Sequence, residues 1–147
     1  MTHPVQEYRK ENFLVSTDPA RLDVDAIHAY LTRSYWAEGR SKEVVAKSVE
    51  NSLNFGLYDG DKQIGLARVV TDYVLFAYLC DVYILEEYRG QGLSKWMLGC
   101  MMSYPGLNSL RLWTLRTRDA HGLYRQFGFT DLSAPDRNLE IFNPAML

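Results

Sequence analysis

The densest chemistry in this 147-residue sequence lies in the run Tyr88-Arg89-Gly90-Gln91-Gly92-Leu93-Ser94-Lys95. Two glycines within three residues let a backbone turn sharply and approach a ligand closely. If a helix begins directly afterwards, its first N–H groups lack intrahelical acceptors, and the positive end of its dipole faces the loop. Such a loop suits a pyrophosphate, with Arg89 and Lys95 adding charge-assisted contacts. A bare Gly-x-Gly also serves as an ordinary strand-to-helix turn. The lysine stands in the wrong place for a Walker A loop, and the six-residue glycine pattern of a Rossmann fingerprint is incomplete.

Two further groups could act on a ligand held there. Tyr124 lies in Ala120-His121-Gly122-Leu123-Tyr124-Arg125-Gln126-Phe127-Gly128-Phe129. A phenol near its ordinary pKa of ~10 can give a proton to a developing anion. Its helical spacing with Ala120, Leu123 and Phe127 fits a core tyrosine equally well. His121 reads as a helix-surface residue. In Tyr35-Trp36-Ala37-Glu38-Gly39-Arg40, an aromatic pair precedes an acid on a glycine-containing loop, an arrangement suited to a cation with apolar bulk. The same rings could simply pack the first helix onto a sheet. Glu140, alternating with Ile141, could face the same cavity.

The elements that must position these groups follow from periodicity. Glu11–Ser16 reads as a strand stopped by Asp18-Pro19. A first helix is predicted from the helical spacing of Val24, Ile27, Tyr30 and Leu31, a pattern that Gly39 breaks, and a second from Ser41 to about Glu50. Leu53–Leu57 and Ile64–Val70 alternate as a hairpin around Asp59-Gly60-Asp61, and a long strand runs from Val74 to Leu85. Asp72 and Tyr73 are expected to face solvent in the turn before it. A helix from Leu93 reaches Tyr104. A strand at Leu110–Leu115, a short helix at Ala120–Phe127, and final strands at Phe129–Leu132 and Leu139–Phe142 complete the chain. The order β-α-α-β-β-β-α-β-α-β-β predicts an α/β fold in which the strands flanking the Leu93 helix are parallel. No repeat, linker or low-complexity segment divides the chain, so residues 1–147 are expected to form a single domain.

Arg89-x-x-Gly92-x-Ser94, following Val82-Tyr83-Ile84, resembles the acetyl-CoA signature of the GNAT N-acetyltransferase family, (Gln/Arg)-x-x-Gly-x-(Gly/Ala). Ser94 departs from the small residue usual at that position. Tyr124 and its surroundings resemble that family's second landmark. The resemblance implies a GNAT fold with a mixed central sheet whose two parallel strands splay apart, and acetyl-CoA as co-substrate without a metal. It further implies that Gln91–Lys95 cradle the pyrophosphate, that Tyr83 and Ile84 offer backbone groups to pantetheine, and that Tyr124 protonates the departing thiolate. The acceptor would be an amine held near Tyr35, Trp36, Glu38 and Glu140. A small-molecule amine is the leading expectation. A protein N-terminus or lysine, or a non-catalytic acyl-CoA-binding module, is the alternative. Thr117 stands where the family often has asparagine.

In the strand before the loop, Tyr78 and Cys80 hold positions where several relatives carry a base, and neither residue is suited to that task. Asp81 is the sole carboxylate there. Strict alternation turns it to the opposite face, as a buried group paired with backbone. A base would then be remote and water-connected, with Glu38 and Glu140 as candidates.

Composition narrows the function classes. A net charge of −2 gives no reason to expect nucleic acid or an anionic membrane as partner. Met1 to Glu7 lack the pattern of a signal peptide, and no apolar run reaches the ~20 residues of a membrane span. Cys80 and Cys100 lack metal-ligand spacing and read as buried free thiols. A cytoplasmic protein, compatible with a homodimer, is the expectation.

Overall fold

A computed structural model describes residues 3–144; Met1, Thr2 and the last three residues lie outside it. Six strands form one sheet in the order β1 (Glu7–Lys10), β2 (Phe13–Ser16), β3 (Leu53–Asp59), β4 (Lys62–Thr71), β5 (Phe76–Ile84) and β6 (Leu112–Leu115). Neighbours are antiparallel except β5 and β6, which are parallel and joined through α3 (Leu93–Met102). The α/β class, mixed sheet and parallel crossover agree with the sequence reading.

Local chemistry explains the boundaries. Asp23 caps α1 (Val24–Leu31) by accepting from Ala26 N at 3.0 Å, and Ser41 caps α2 (Lys42–Glu50) by accepting from Val44 N at 3.2 Å. The β3–β4 hairpin turns through Gly60 at φ 59°. Asp72 Oδ1 accepts from the N–H groups of Val74, Leu75 and Phe76, which forms the turn into β5. Tyr73 departs from the expected solvent position, because His3 stacks on its ring at 3.5 Å and leaves it half-buried.

Two differences concern strands. The expected strand Glu11–Ser16 forms as β2 over Phe13–Ser16, but Glu11 lies in a turn, and the unforeseen β1 pairs with β2 as the outer edge. The predicted strands Phe129–Leu132 and Leu139–Phe142 do not form; after α4 (His121–Arg125) the described chain has only turns and the short 3-10 turn Pro135–Arg137. The apolar alternation of those segments therefore finds no sheet partner within the described residues.

Each sheet face carries its own core. Phe55, Leu57, Ile64, Val69, Ala77, Leu79 and Ile84 pack with Leu93, Met97, Leu98 and Met101 of α3. Leu66 and Tyr83 pack on the other face with Ile27, Leu31, Val45 and Val49 of α1 and α2. Each large apolar side chain fully buried in these layers contributes about 1.5–3 kcal/mol. The two packed layers thus cover both faces of β4 and β5 at the Leu66–Tyr83 end, from which β5 delivers the chain to the glycine loop.

Candidate active site

The splay between β5 and β6 opens the site. Their pairing runs only from Phe76↔Leu112 to Leu79↔Leu115, so β5 continues through Asp81–Ile84 without a partner on that side. A cleft of about 560 Å³ begins there. Val82, Tyr83 and Ile84 line it together with Arg89, Gly90, Gly92, Leu93, Ser94 and Lys95. Nine of the ten residues expected at the cofactor therefore share one cavity wall. Gln91 is the exception: it is exposed, and its Nε2 donates to Tyr88 O at 3.1 Å.

Gly90 and Gly92 adopt φ of 85° and 80°, a region that side chains disfavour. A Cβ built on either would meet nothing within 4 Å, so both present bare backbone to open space. Gly92 is also the N-cap of α3, and its carbonyl accepts from Trp96 N at 3.0 Å. No side chain caps this end, which leaves the first-turn N–H groups free for an anion. Arg89 plays a different part from the one expected. Its Nε donates to Ile84 O at 3.0 Å and its Nη2 to the Tyr30 hydroxyl at 2.7 Å. It thereby ties the loop to β5 and α1, and it occupies the Ile84 carbonyl. Lys95 remains exposed on the cleft.

Tyr124 lines the same cleft with Asp119, Ala120 and Leu123. The Thr117 hydroxyl accepts from Ala120 N at 3.0 Å and so sets the entry into α4. Phe129 meets the Tyr124 ring edge-on at 6.0 Å. Burial pushes the Tyr124 phenol up to about 12, with a smaller contribution from Tyr35. Among the described residues no hydrogen-bond partner engages its hydroxyl. A core tyrosine would be expected to satisfy that group. His121 is exposed, as predicted.

The acceptor-side residues separate into two groups. Tyr35 and Trp36 are exposed on the cleft, meeting edge-to-face at 5.1 Å, with the Arg118 guanidinium 3.7 Å from the centre of the Tyr35 ring. Glu38 is exposed and Glu140 pairs with Arg116 at 2.6 Å; neither lines the cleft. Asp119, which the sequence reading passed over, is the one carboxylate among the described lining residues. Tyr30, stacked on Tyr83 at 4.1 Å, was also missed.

Asp81 corrects the alternation argument. The β4–β5 register shifts between Leu66 and Arg68, and Asp81 sits in this bulge at φ 50°. The extra residue turns its side chain to the face of Tyr78 and Cys80. There the carboxylate, 5% exposed, accepts from Arg68 Nε at 2.8 Å, Arg40 Nη1 at 3.0 Å and Trp36 Nε1 at 2.8 Å. Its partners are thus side chains, not backbone. Burial also pushes the neighbouring Cys80 thiol up to about 11, although Cys80 is only half-buried. Cys100 is buried. Among the described residues, no cluster of potential metal ligands occurs, and no helix is long and apolar enough to cross a membrane.

Fold and site together define an acyltransferase. A family model described as an acetyltransferase (GNAT) domain matches residues 50–131, more than half of the chain, and the chain belongs to the GNAT family. It is 34% identical over 150 residues to a protein of Gibberella zeae named an acetyltransferase by inference, covering 86% of this chain and 84% of that one. A GNAT-family crystal structure from Xanthomonas campestris pv. campestris, also assigned as an acetyltransferase by inference, is 41% identical. It superposes with a TM-score of 0.88 and covers 90% of this chain and 94% of its own. The ribosomal-protein-S18-alanine N-acetyltransferase of Escherichia coli shares the fold at 20% identity, with a TM-score of 0.63 and coverage of 88% and 79%. GNAT enzymes move an acetyl group from acetyl-CoA to an amine of a small molecule or a protein.

Proposed function

We propose that this enzyme acetylates a small amine with apolar bulk, holding acetyl-CoA along Val82–Lys95 and using Tyr124 as the acid toward the CoA thiolate. The observation that carries the reading is Tyr124: its hydroxyl has no hydrogen-bond partner among the described residues, and the residue lines the same cleft as the bare N-terminus of α3. The pyrophosphate would lie at Gly90, Gly92, Leu93, Ser94 and Lys95. Pantetheine would run along the unpaired part of β5. The cleft volume lies within the ~300–1,000 Å³ common for small-molecule sites.

The chemistry is direct transfer. The neutral amine attacks the thioester carbonyl carbon, a C–N bond forms, and the C–S bond breaks. The nitrogen proton leaves to water, while the sulfur takes the Tyr124 proton, which solvent restores. Burial keeps that proton on the phenol at neutral pH, as an acid requires. Tyr35 and Trp36 would receive the acceptor against their ring faces. Asp119, rather than Glu38 or Glu140, faces the cleft and is the candidate for relaying the amine proton through water. Asp81 is unsuited to that task because two guanidinium groups and an indole N–H engage its oxygens.

Thiol release from acetyl-CoA, followed across a panel of small amines and N-terminal or lysine peptides, tests the proposal. Small aromatic or alkyl amines should be consumed faster than any peptide. Preference for peptides would overturn the acceptor assignment, and absence of release with every amine would overturn turnover itself.

A further inference from the structure

The acceptor end of the cleft carries a cation that acetyl transfer itself does not use. Arg118 lies in the segment between β6 and α4, at the rim of the cleft, directly before the lining residue Asp119. Two contacts fix it to the acceptor wall. Its backbone N–H donates to the Tyr35 hydroxyl at 3.3 Å, and its guanidinium stands 3.7 Å from the centre of the Tyr35 ring. The aromatic pair suits a cation, and on one face of Tyr35 that cation is the chain's own. The nearest carboxylate oxygen, Asp119 Oδ2, is 3.7 Å away, beyond hydrogen-bond distance, and each side chain of this pair is 65% exposed. The guanidinium is therefore held in place while its donors have no hydrogen-bond partner among the described residues.

The other cations around the cleft are committed elsewhere. Arg89 binds the Ile84 carbonyl and the Tyr30 hydroxyl, Arg40 and Arg68 both engage Asp81, and Arg116 pairs with Glu140. Lys95 sits in the first turn of α3, at the opposite end from Tyr35 on the proposed CoA path. Arg118 and Asp119 thus form a loosely held pair of opposite sign beside Tyr35. Both Tyr35 and Asp119 act electrostatically on the Tyr124 phenol, which puts the pair next to the proposed acid. An exposed ion pair of this kind is weak and readily exchanged for better-matched partners.

We infer that the acceptor is an amine that also bears a carboxylate, as a free α-amino acid does, with the carboxylate on the Arg118 guanidinium and the amine towards Asp119 and the thioester. The inference rests on the acetyl-transfer reading for the role of the amine. A molecule with an amine and a carboxylate on one carbon presents the charges of Arg118 and Asp119 in reverse. The planar fork of a guanidinium matches both oxygens of a carboxylate, a fit that a point charge lacks. The apolar side chain of the acceptor would lie on Trp36, which Asp81 orients. A simple alkylammonium meets Arg118 as a like charge, and a peptide N-terminus has an amide where the carboxylate should be. Both are thereby disfavoured.

Three probes test it: L-phenylalanine, L-phenylalanine amide and 2-phenylethylamine share a ring and a primary amine and differ in the carboxylate. Each is titrated calorimetrically into the full chain saturated with CoA, and each is assayed for thiol release from acetyl-CoA. Phenylalanine should bind at least about tenfold more tightly than either analogue, with the same order in kcat/KM. Arg118→Gln, shown to be folded by its acetyl-CoA binding, should remove most of that preference, through KM rather than kcat. Equal affinity for the three probes overturns the inference, as does a preference that survives Arg118→Gln or a failure of all three to bind. The two readings fail separately. Carboxylate-dependent binding without thiol release overturns acetyl transfer and leaves the Arg118 site standing, whereas release without carboxylate preference overturns the Arg118 site alone.

Discussion

The two sides of the cleft are built differently. On the proposed CoA side, the working groups are backbone: the unpaired run of β5, two glycines at positive φ, and the uncapped start of α3. They lie within one contiguous stretch of chain. On the acceptor side the wall consists of side chains fixed by long-range contacts. Trp36 is oriented by Asp81, forty-five positions away in sequence, and Asp81 is held by Arg40 and Arg68. A backbone site tolerates most side-chain change and serves a constant ligand. A side-chain site can be re-specified one residue at a time, which suits the variable substrate.

That contrast predicts where substitutions hurt. The largest effect should come from Tyr124→Phe, which on the proposed mechanism removes only an interaction formed as the thiolate leaves. Turnover should fall by roughly 10²–10⁴-fold, with acetyl-CoA affinity nearly unchanged in calorimetry. Wild-type turnover, measured where chemistry limits the rate, would return Tyr124 to a packing role. Because burial pushes its pKa up to about 12, Tyr124 stays protonated through neutral and moderately basic pH. The pH–rate profile should therefore rise as the acceptor amine loses its proton and show no descending limb up to roughly pH 10.

Next in size is Asp81→Asn, which leaves two guanidinium groups without a buried counter-charge. A loss of about 3 kcal/mol in denaturant unfolding is expected. In a variant still folded, the Michaelis constant for the amine should rise more than that for acetyl-CoA, because Trp36 loses its anchor. An equal rise in both would mean that the bulge serves the CoA side as well.

The smallest effects are expected at Glu38→Gln and Glu140→Gln. Both carboxylates lie away from the cleft, and each change should alter turnover by less than about threefold. Asp119→Asn should exceed either in the same assay, and a reversal of that ranking would move the proton relay out of the cleft.

The same contrast explains what the sequence revealed. The Val82–Lys95 wall was legible because its chemistry is contiguous and glycine reports backbone need directly. The hairpin partner Glu7–Lys10 escaped notice because Glu-Tyr-Arg-Lys is a polar edge strand without alternation. Asp81 was misplaced because a bulge inserts one residue and shifts the alternation beyond it, an event set by pairing with β4. Glu140 was assigned to a strand that does not form, since alternation records a need for burial but not the surface that meets it. Asp119 and Tyr30 carried no local signal, because only the folded cleft brings them to the loop.

The central claim is that the start of α3 holds the CoA pyrophosphate. Gly92→Val tests it poorly, since any side chain at φ 80° strains the loop by itself. Ser94→Asp is cleaner: an acid in the first turn favours the helix but repels a phosphate placed there. Calorimetric titration of this variant with CoA should show at least about tenfold weaker binding than wild type, with an unchanged or slightly raised melting temperature. Undiminished CoA affinity in the folded variant would contradict the account.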